Sequence, residues 1–419
     1  MRECKTLEFK ENIETNSFLK TISAFANYID GKIIFGISDD GAVKGVSNPV
    51  ESCLNLENKI NDAIKPVPFY TLEINDDNTI TLEVKKGSYT PYLYKGKAYK
   101  RNDTSTIEVD RLELNRLTLE GMNMTYEEQI SFKQNLSFTQ LQKELTDKIG
   151  TKKISVDILK TLGLMKDGKY NNAASLVADE NQFLGIDIIR YGDTINELMD
   201  RYIGDNISIF QMYHDAIDFY QKYYTYEKID GSQRTNQEII PYKAFREALA
   251  NALVHRLWDV NSRIRISMYK DKIEITSPGG LPSALNKNEY LNSQVSFLRN
   301  PIIGNIFFRL GYIEMFGSGI KRIKDSYNDY QVAPDFLIYE NSITVILPAV
   351  NITVNITDDE RMILEIISLE KLSRLQLEKR GNLSKSKTSR ILNSLCEKGF
   401  IQKTGSGPNT KYSIRNKNY

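Results

Sequence analysis

Two histidines, His214 and His255, and three cysteines, Cys4, Cys53 and Cys396, are all that this 419-residue chain offers as soft metal ligands. That scarcity excludes a His/Cys zinc site, so any metal here is a hard cation held by oxygen. The cysteines are odd in number and scattered, which excludes a disulfide frame and fits a reducing compartment. No apolar run approaches the roughly 20 residues that cross a bilayer. The first residues are charged rather than an apolar leader, so the expectation is a cytoplasmic chain without a membrane partner.

What is present reads as a folded protein of several domains. Apolar residues make up 41% and charged residues 26%, enough for buried cores in two to four domains. Net charge is only +1, but it is unevenly placed. From Lys371 to Tyr419 there are twelve Lys/Arg against Glu378 and Glu397, a local +10. A segregated basic segment is the electrostatic footprint of nucleic-acid binding.

The stretch Pro241–Arg256 predicts a helix, with proline at its start and alanines and apolar residues at helical intervals. Glu247, Asn251 and His255 are spaced i, i+4, i+8 and share one stripe. By itself that stripe also suits a core helix with a polar edge. Alternating strands follow at Ile264–Met268 and Lys272–Thr276, then Ser277-Pro278-Gly279-Gly280, Arg299-Asn300-Pro301 and Gly317-Ser318-Gly319-Ile320. In this order over roughly 235–350, these elements resemble a divergent GHKL-type ATPase module. The resemblance implies ATP with Mg²⁺, Glu247 activating water and Asn251 holding the metal. His255, Ser277, Gly279, Gly280, Gly317 and Gly319 are then cofactor contacts, since bare backbone N–H groups approach phosphate closely. Ser277 stands where better-known relatives carry an aspartate for adenine.

The N-terminal part predicts the helix through Ser23-Ala24-Phe25-Ala26-Asn27 with Phe18, Ile22, Phe25 and Ala26 on one face. A strand Lys32–Ile37 and an Asp39-Asp40-Gly41 turn follow. The opening Glu3…Glu8-Phe9-Lys10, this helix and the Gly-Ile-Ser-Asp-Asp-Gly strand end resemble the Schlafen/AlbA-type domain over about 1–120. In some Schlafen proteins three carboxylates cut RNA, and Glu3, Glu8 and Asp39 match those positions. The resemblance thus leaves two readings open: a Mg²⁺ or Mn²⁺ site that cuts RNA, or carboxylates that cap and solvate a nucleic-acid-binding domain. Lys10 and Arg101 are expected nucleic-acid contacts.

Residues 121–235 are expected to be a mostly helical connecting region, with a charged helix over Thr125–Leu145, a strand over Gly185–Tyr191 and an aromatic helix over Phe210–Tyr224. His214, alone there, is expected to be a packed or surface residue. Beyond a polar connector at Asn351–Asp359, three helices and a glycine-tipped hairpin over 356–419 resemble a winged helix-turn-helix. Ser384 N-caps the third helix, which presents Lys385, Lys387, Ser389 and Arg390 toward DNA. The expected fold is therefore α+β and multidomain: 1–120, 121–235, 236–350 and 356–419. The expected function is a nucleotide-responsive, homo-oligomeric DNA- or RNA-binding regulator, with a metal-dependent nuclease, in phage defence, as the alternative.

Overall fold

The computed structural model describes residues 2–414 except 39, 231–232, 283–284, 293–296, 315–316, 351–356, 368–369, 399, 406 and 408–409; the side chains of 228, 230 and 233 are also outside the description. The architecture is mixed α+β, in two compact units, Met1–Val350 and Asn351–Tyr419.

In the first unit, strands Leu7–Lys10, Gly31–Phe35, Ile80–Val84 and Tyr70–Ile74 form a four-stranded sheet in that spatial order. Its first pair is parallel, bridged by the helix Phe18–Tyr28. That helix buries Phe18, Ile22, Phe25 and Ala26, as the sequence pattern predicts. Its polar Ser23 and Asn27 are buried too, and each is satisfied: both donate to the Tyr92 carbonyl, at 2.7 and 3.0 Å, while Asn27 Oδ1 accepts from the Tyr92 N–H. The Ser-Ala-Phe-Ala-Asn motif is thus a fastening of helix to chain.

A six-stranded sheet follows, ordered Leu198–Gly204, Ile186–Tyr191, Ile264–Met268, Lys272–Pro278, Ser342–Pro348 and Asp335–Ile338. Ile186–Tyr191 pairs in parallel with Ile264–Met268, so two strands of the expected connecting region extend the sheet of the following module. The sheet therefore takes strands from both sides of residue 235. One continuous apolar core runs from Leu141 to Ala349 and includes the helices Ile209–Tyr224 and Tyr242–Val254.

The helix expected over Thr125–Leu145 is a correction. Only a single 3₁₀ turn forms at Tyr126–Glu128, and the α-helix starts at Thr139. Glu128 folds back to accept the Thr125 N–H at 2.7 Å, and the fully buried Glu127 accepts the N–H groups of Ile302 and Ile303. Capping the distant helix Pro301–Arg309 replaces continuation of a local one.

The second unit contains helices Asp358–Ile367, Arg374–Gly381 and Lys385–Glu397 and a three-stranded sheet ordered Leu372–Ser373, Lys411–Ile414, Ile401–Thr404. Its own small core includes Ile363, Leu377, Leu392, Leu395 and Tyr412. Ser384 accepts from the Lys387 N–H at the start of the third helix. Asn382, at φ 49°, makes the left-handed turn between the second and third helices. Among the described residues, no helix is long and apolar enough to cross a membrane.

Candidate nucleotide cleft and candidate nucleic-acid surfaces

The helix Tyr242–Val254 starts where Glu238 accepts the Tyr242 N–H at 2.7 Å. Phe245, Ala248, Leu249 and Leu253 point into the core, which turns Glu247 and Asn251 to the opposite wall. His255 is the C-cap, its backbone N–H returning to the Asn251 carbonyl. These three residues line one cleft together with Ser277, Gly279, Gly280, Gly317 and Gly319. Every residue that the sequence proposes for a nucleotide therefore faces the same space, on a floor that includes Ile275, Ile343 and Val345.

Glu247 is 3% exposed, yet neither its carboxylate nor the Asn251 amide accepts or donates a hydrogen bond among the described residues. Desolvation pushes the Glu247 pKa up, and Arg322, Arg246 and Lys243 oppose that shift. A Cβ at residue 319 would stand 2.6 Å from Asn251 Nδ2 and 2.9 Å from Glu247 Oε1. Glycine thus keeps open the space over two unpartnered polar groups. This donor set fits a hard cation: Asn251 would hold it and Glu247 would orient water, and the ion would neutralise phosphate charge.

The far wall is fastened rather than free. Ser277 Oγ donates to the Ala252 carbonyl at 2.9 Å, which leaves its oxygen as an acceptor toward the cleft. Asn300 donates to the carbonyls of Val254 and Arg256, at 2.7 and 2.8 Å, closing the end of the helix. Arg299 donates to the His255 and Gly280 carbonyls at 2.8 and 2.7 Å, so one guanidinium ties both sides of the cleft. Burial and the Arg299 charge push the His255 pKa down to about 4 and keep the ring neutral near pH 7. Sequence reasoning did not assign Arg299 to the site; its one signal was its place beside Asn300 and Pro301 between the two glycine loops.

The N-terminal carboxylates are arranged differently. Glu8, 5% exposed, accepts from Thr21 Oγ1 and Arg101 Nη1, both at 2.6 Å, and pairs with Lys10 at 2.7 Å. Glu3 accepts the backbone N–H of Phe9 at 2.7 Å. Asp39 lies outside the described residues. Among the described residues, no three His, Cys, Asp or Glu side chains stand where they could share a metal. Arg101 is 7% exposed and also donates to the Cys4 carbonyl and Thr106. Its guanidinium is thus engaged by groups inside the protein.

Residues 1–110 carry fourteen Lys/Arg against seventeen Asp/Glu. Many of these lysines are paired, including Lys44 with Glu11, Lys86 with Glu120, Lys97 with Glu108 and Lys100 with Glu113. In the second unit, Lys385 and Arg390 are exposed on the third helix and make no ion pair among the described residues. Lys387 pairs with Asp359 at 2.8 Å, and Ser389 is half-buried. His214 meets Glu144 at 2.6 Å, and Tyr312 donates to the other Glu144 oxygen at 2.6 Å, a packed surface cluster.

Comparison with known proteins places names beside this geometry. Residues 3–110 match the family described as "Schlafen, AlbA_2", and residues 261–347 match "Putative ATP-dependent DNA helicase recG C-terminal". The N-terminal Schlafen/AlbA-type resemblance and the divergent ATPase-type resemblance are both met by these matches. The second match begins after the helix that carries Glu247, Asn251 and His255. The solved structure of the DIP2311 protein from Corynebacterium diphtheriae is 13% identical, covers 98% of this chain and 95% of its own, and has a TM-score of 0.47. No curated protein matches the chain.

Proposed function

We propose that this chain is a nucleotide-responsive nucleic-acid-binding protein, a transcription regulator whose central module binds ATP with Mg²⁺ and whose C-terminal unit is a DNA-binding winged helix-turn-helix. The observation that carries the nucleotide half is the cleft: Glu247 and Asn251 face it without a hydrogen-bond partner among the described residues, under a glycine that leaves room above them. Support for the DNA half is electrostatic. The local +10 lies in the segment whose third helix exposes Lys385 and Arg390, whereas residues 1–110 have a net charge of −3. Phosphate affinity therefore belongs first to the C-terminal unit, with the Schlafen/AlbA-type domain contributing contacts of another kind.

The nuclease reading has less behind it. A carboxylate already neutralised by Arg101 and Lys10, as Glu8 is, has little charge left for a divalent ion. The deciding experiment follows duplex DNA binding by fluorescence anisotropy with and without ATP and Mg²⁺. The reading expects ATP to raise the melting temperature and to change DNA affinity. It fails if millimolar ATP and ADP leave both unchanged.

A further inference from the structure

Arg299 is a half-buried cation with no carboxylate at bonding distance among the described residues. It lines the cleft, and two backbone carbonyls occupy only part of its five-donor fork. Residue 279 has φ +110°, and a Cβ there would stand 2.5 Å from Arg299 Nη1, so glycine makes the room for the guanidinium. Two charges lie within electrostatic reach of it: Arg116, on the helix Arg111–Gly121, and Asp259, just beyond the central helix. They are joined to each other. Arg116 grips Asp259 with both prongs, Nε to Oδ2 at 2.6 Å and Nη2 to Oδ1 at 3.0 Å. Arg116 thus takes both oxygens of Asp259, the acidic group within electrostatic reach of Arg299. Glu314, also on the cleft wall, is paired with Arg322.

A cation desolvated without its own counter-charge is costly unless a ligand supplies one. We propose that Arg299 is the cation that meets the phosphate chain of a bound nucleotide, and that Arg116, by engaging Asp259, is the positioning residue that keeps this charge free. The inference rests on the nucleotide reading above and names the residue of that cleft that recognises the anion. It also gives the helix following the Schlafen/AlbA-type domain a direct hold on nucleotide affinity.

The sign of each substitution is fixed. In Arg116→Ala, Asp259 is released to quench Arg299, so ATP binding weakens about tenfold. In Asp259→Asn, the quencher is gone, so ATP binding stays equal or tightens, by about threefold at most. Arg116→Ala/Asp259→Asn regains at least the affinity of the unaltered chain. Adenosine, without phosphates, is insensitive throughout. Isothermal titration of full-length variants with ATP and adenosine in Mg²⁺ measures all four. A merely structural ion pair instead makes Asp259→Asn as damaging as Arg116→Ala and affects adenosine equally; either result overturns the proposal. If Arg116→Ala does not fold, Asp259→Asn decides alone, since a loss of ATP affinity there is the wrong sign. Failure of the unaltered chain to bind any nucleotide removes the cleft reading itself, whereas ATP binding indifferent to Arg116 and Asp259 removes only this inference.

Discussion

Gly319 lies against Asn251 so closely that a Cβ on it would stand 2.6 Å from the Asn251 amide nitrogen. The glycine is therefore bound to the cleft's purpose more than to backbone freedom. Gly319→Ala and Asn251→Ala are both expected to abolish most of the ATP/Mg²⁺-dependent rise in melting temperature while leaving the nucleotide-free melt within a few degrees. Glu247→Ala is expected to keep the rise and to lower any turnover. A native-state ligand at 100 times its Kd adds about 2.7 kcal/mol, well within the resolution of a thermal-shift measurement. An undiminished shift in Asn251→Ala would sink the metal assignment.

The C-terminal unit is expected to carry the salt dependence of DNA binding. Lys385→Glu with Arg390→Glu removes two exposed cations and is expected to lower the slope of log K against log salt by about 2. Lys387→Glu is expected to do more to folding, because Lys387 already serves Asp359. A salt titration in which the double variant matches the unaltered chain would make this unit an assembly surface instead of a DNA reader.

How far the sequence was legible depends on the range of each contact. Helical spacing put Glu247, Asn251 and His255 on one stripe, and turn chemistry marked the glycine loops, because both are local signals. The ion pair of Arg116 with Asp259 and the cap of Glu127 on Ile302 and Ile303 join residues more than 140 positions apart. No periodicity announces such contacts. The same holds for the bond between Glu8 and Arg101, separated by 93 positions. The strands Ile186–Tyr191 and Ile264–Met268 are each legible as strands, but their parallel pairing across more than 70 positions is not.

The Glu8–Arg101 pair has a measurable consequence. Arg101→Ala leaves a buried carboxylate with Lys10 and Thr21 only, and is expected to destabilise the N-terminal domain by about 3 kcal/mol in chemical denaturation. Glu8→Gln/Arg101→Met, which removes both charges, is expected to recover much of that loss. Incubation with RNA and Mn²⁺ is expected to give no cutting by the unaltered chain. Cutting that vanishes in a folded Glu8→Gln variant would restore the nuclease reading.

His255 predicts one pH dependence. Its folded pKa, about 4, lies below the ordinary 6.5, so the unfolded chain binds the extra proton between those values. Stability from this group is complete above pH 6.5 and falls as pH drops toward 4, by on the order of 2 kcal/mol. His255→Gln is expected to flatten that window in a pH series of denaturation midpoints. ATP affinity is expected to be level from pH 7 to 9 as far as this ring is concerned.

Glu360 predicts the opposite kind of group, in the second unit. Burial pushes its pKa up, but Lys398 at 2.7 and 2.8 Å, Ser394 at 2.7 Å and the Thr357 N–H outweigh burial and hold it at about 2. A carboxyl depressed below its ordinary 4.5 contributes stability that is complete above pH 4.5 and lost as pH falls through 2. This one side chain joins the helix Asp358–Ile367 to the end of Lys385–Glu397, the helix that exposes Lys385 and Arg390. Glu360→Gln keeps the shape and removes the charge, and is expected to cost about 2 kcal/mol at pH 7 and progressively less below pH 4. Hydrogen exchange in residues 385–397 gives the measurement. Faster exchange at pH 7 in the variant, with DNA affinity falling in parallel, ties the helix's order to its charge display. Unchanged exchange would show that the apolar contacts of Ile363, Leu392 and Leu395 hold the helix without this ion pair.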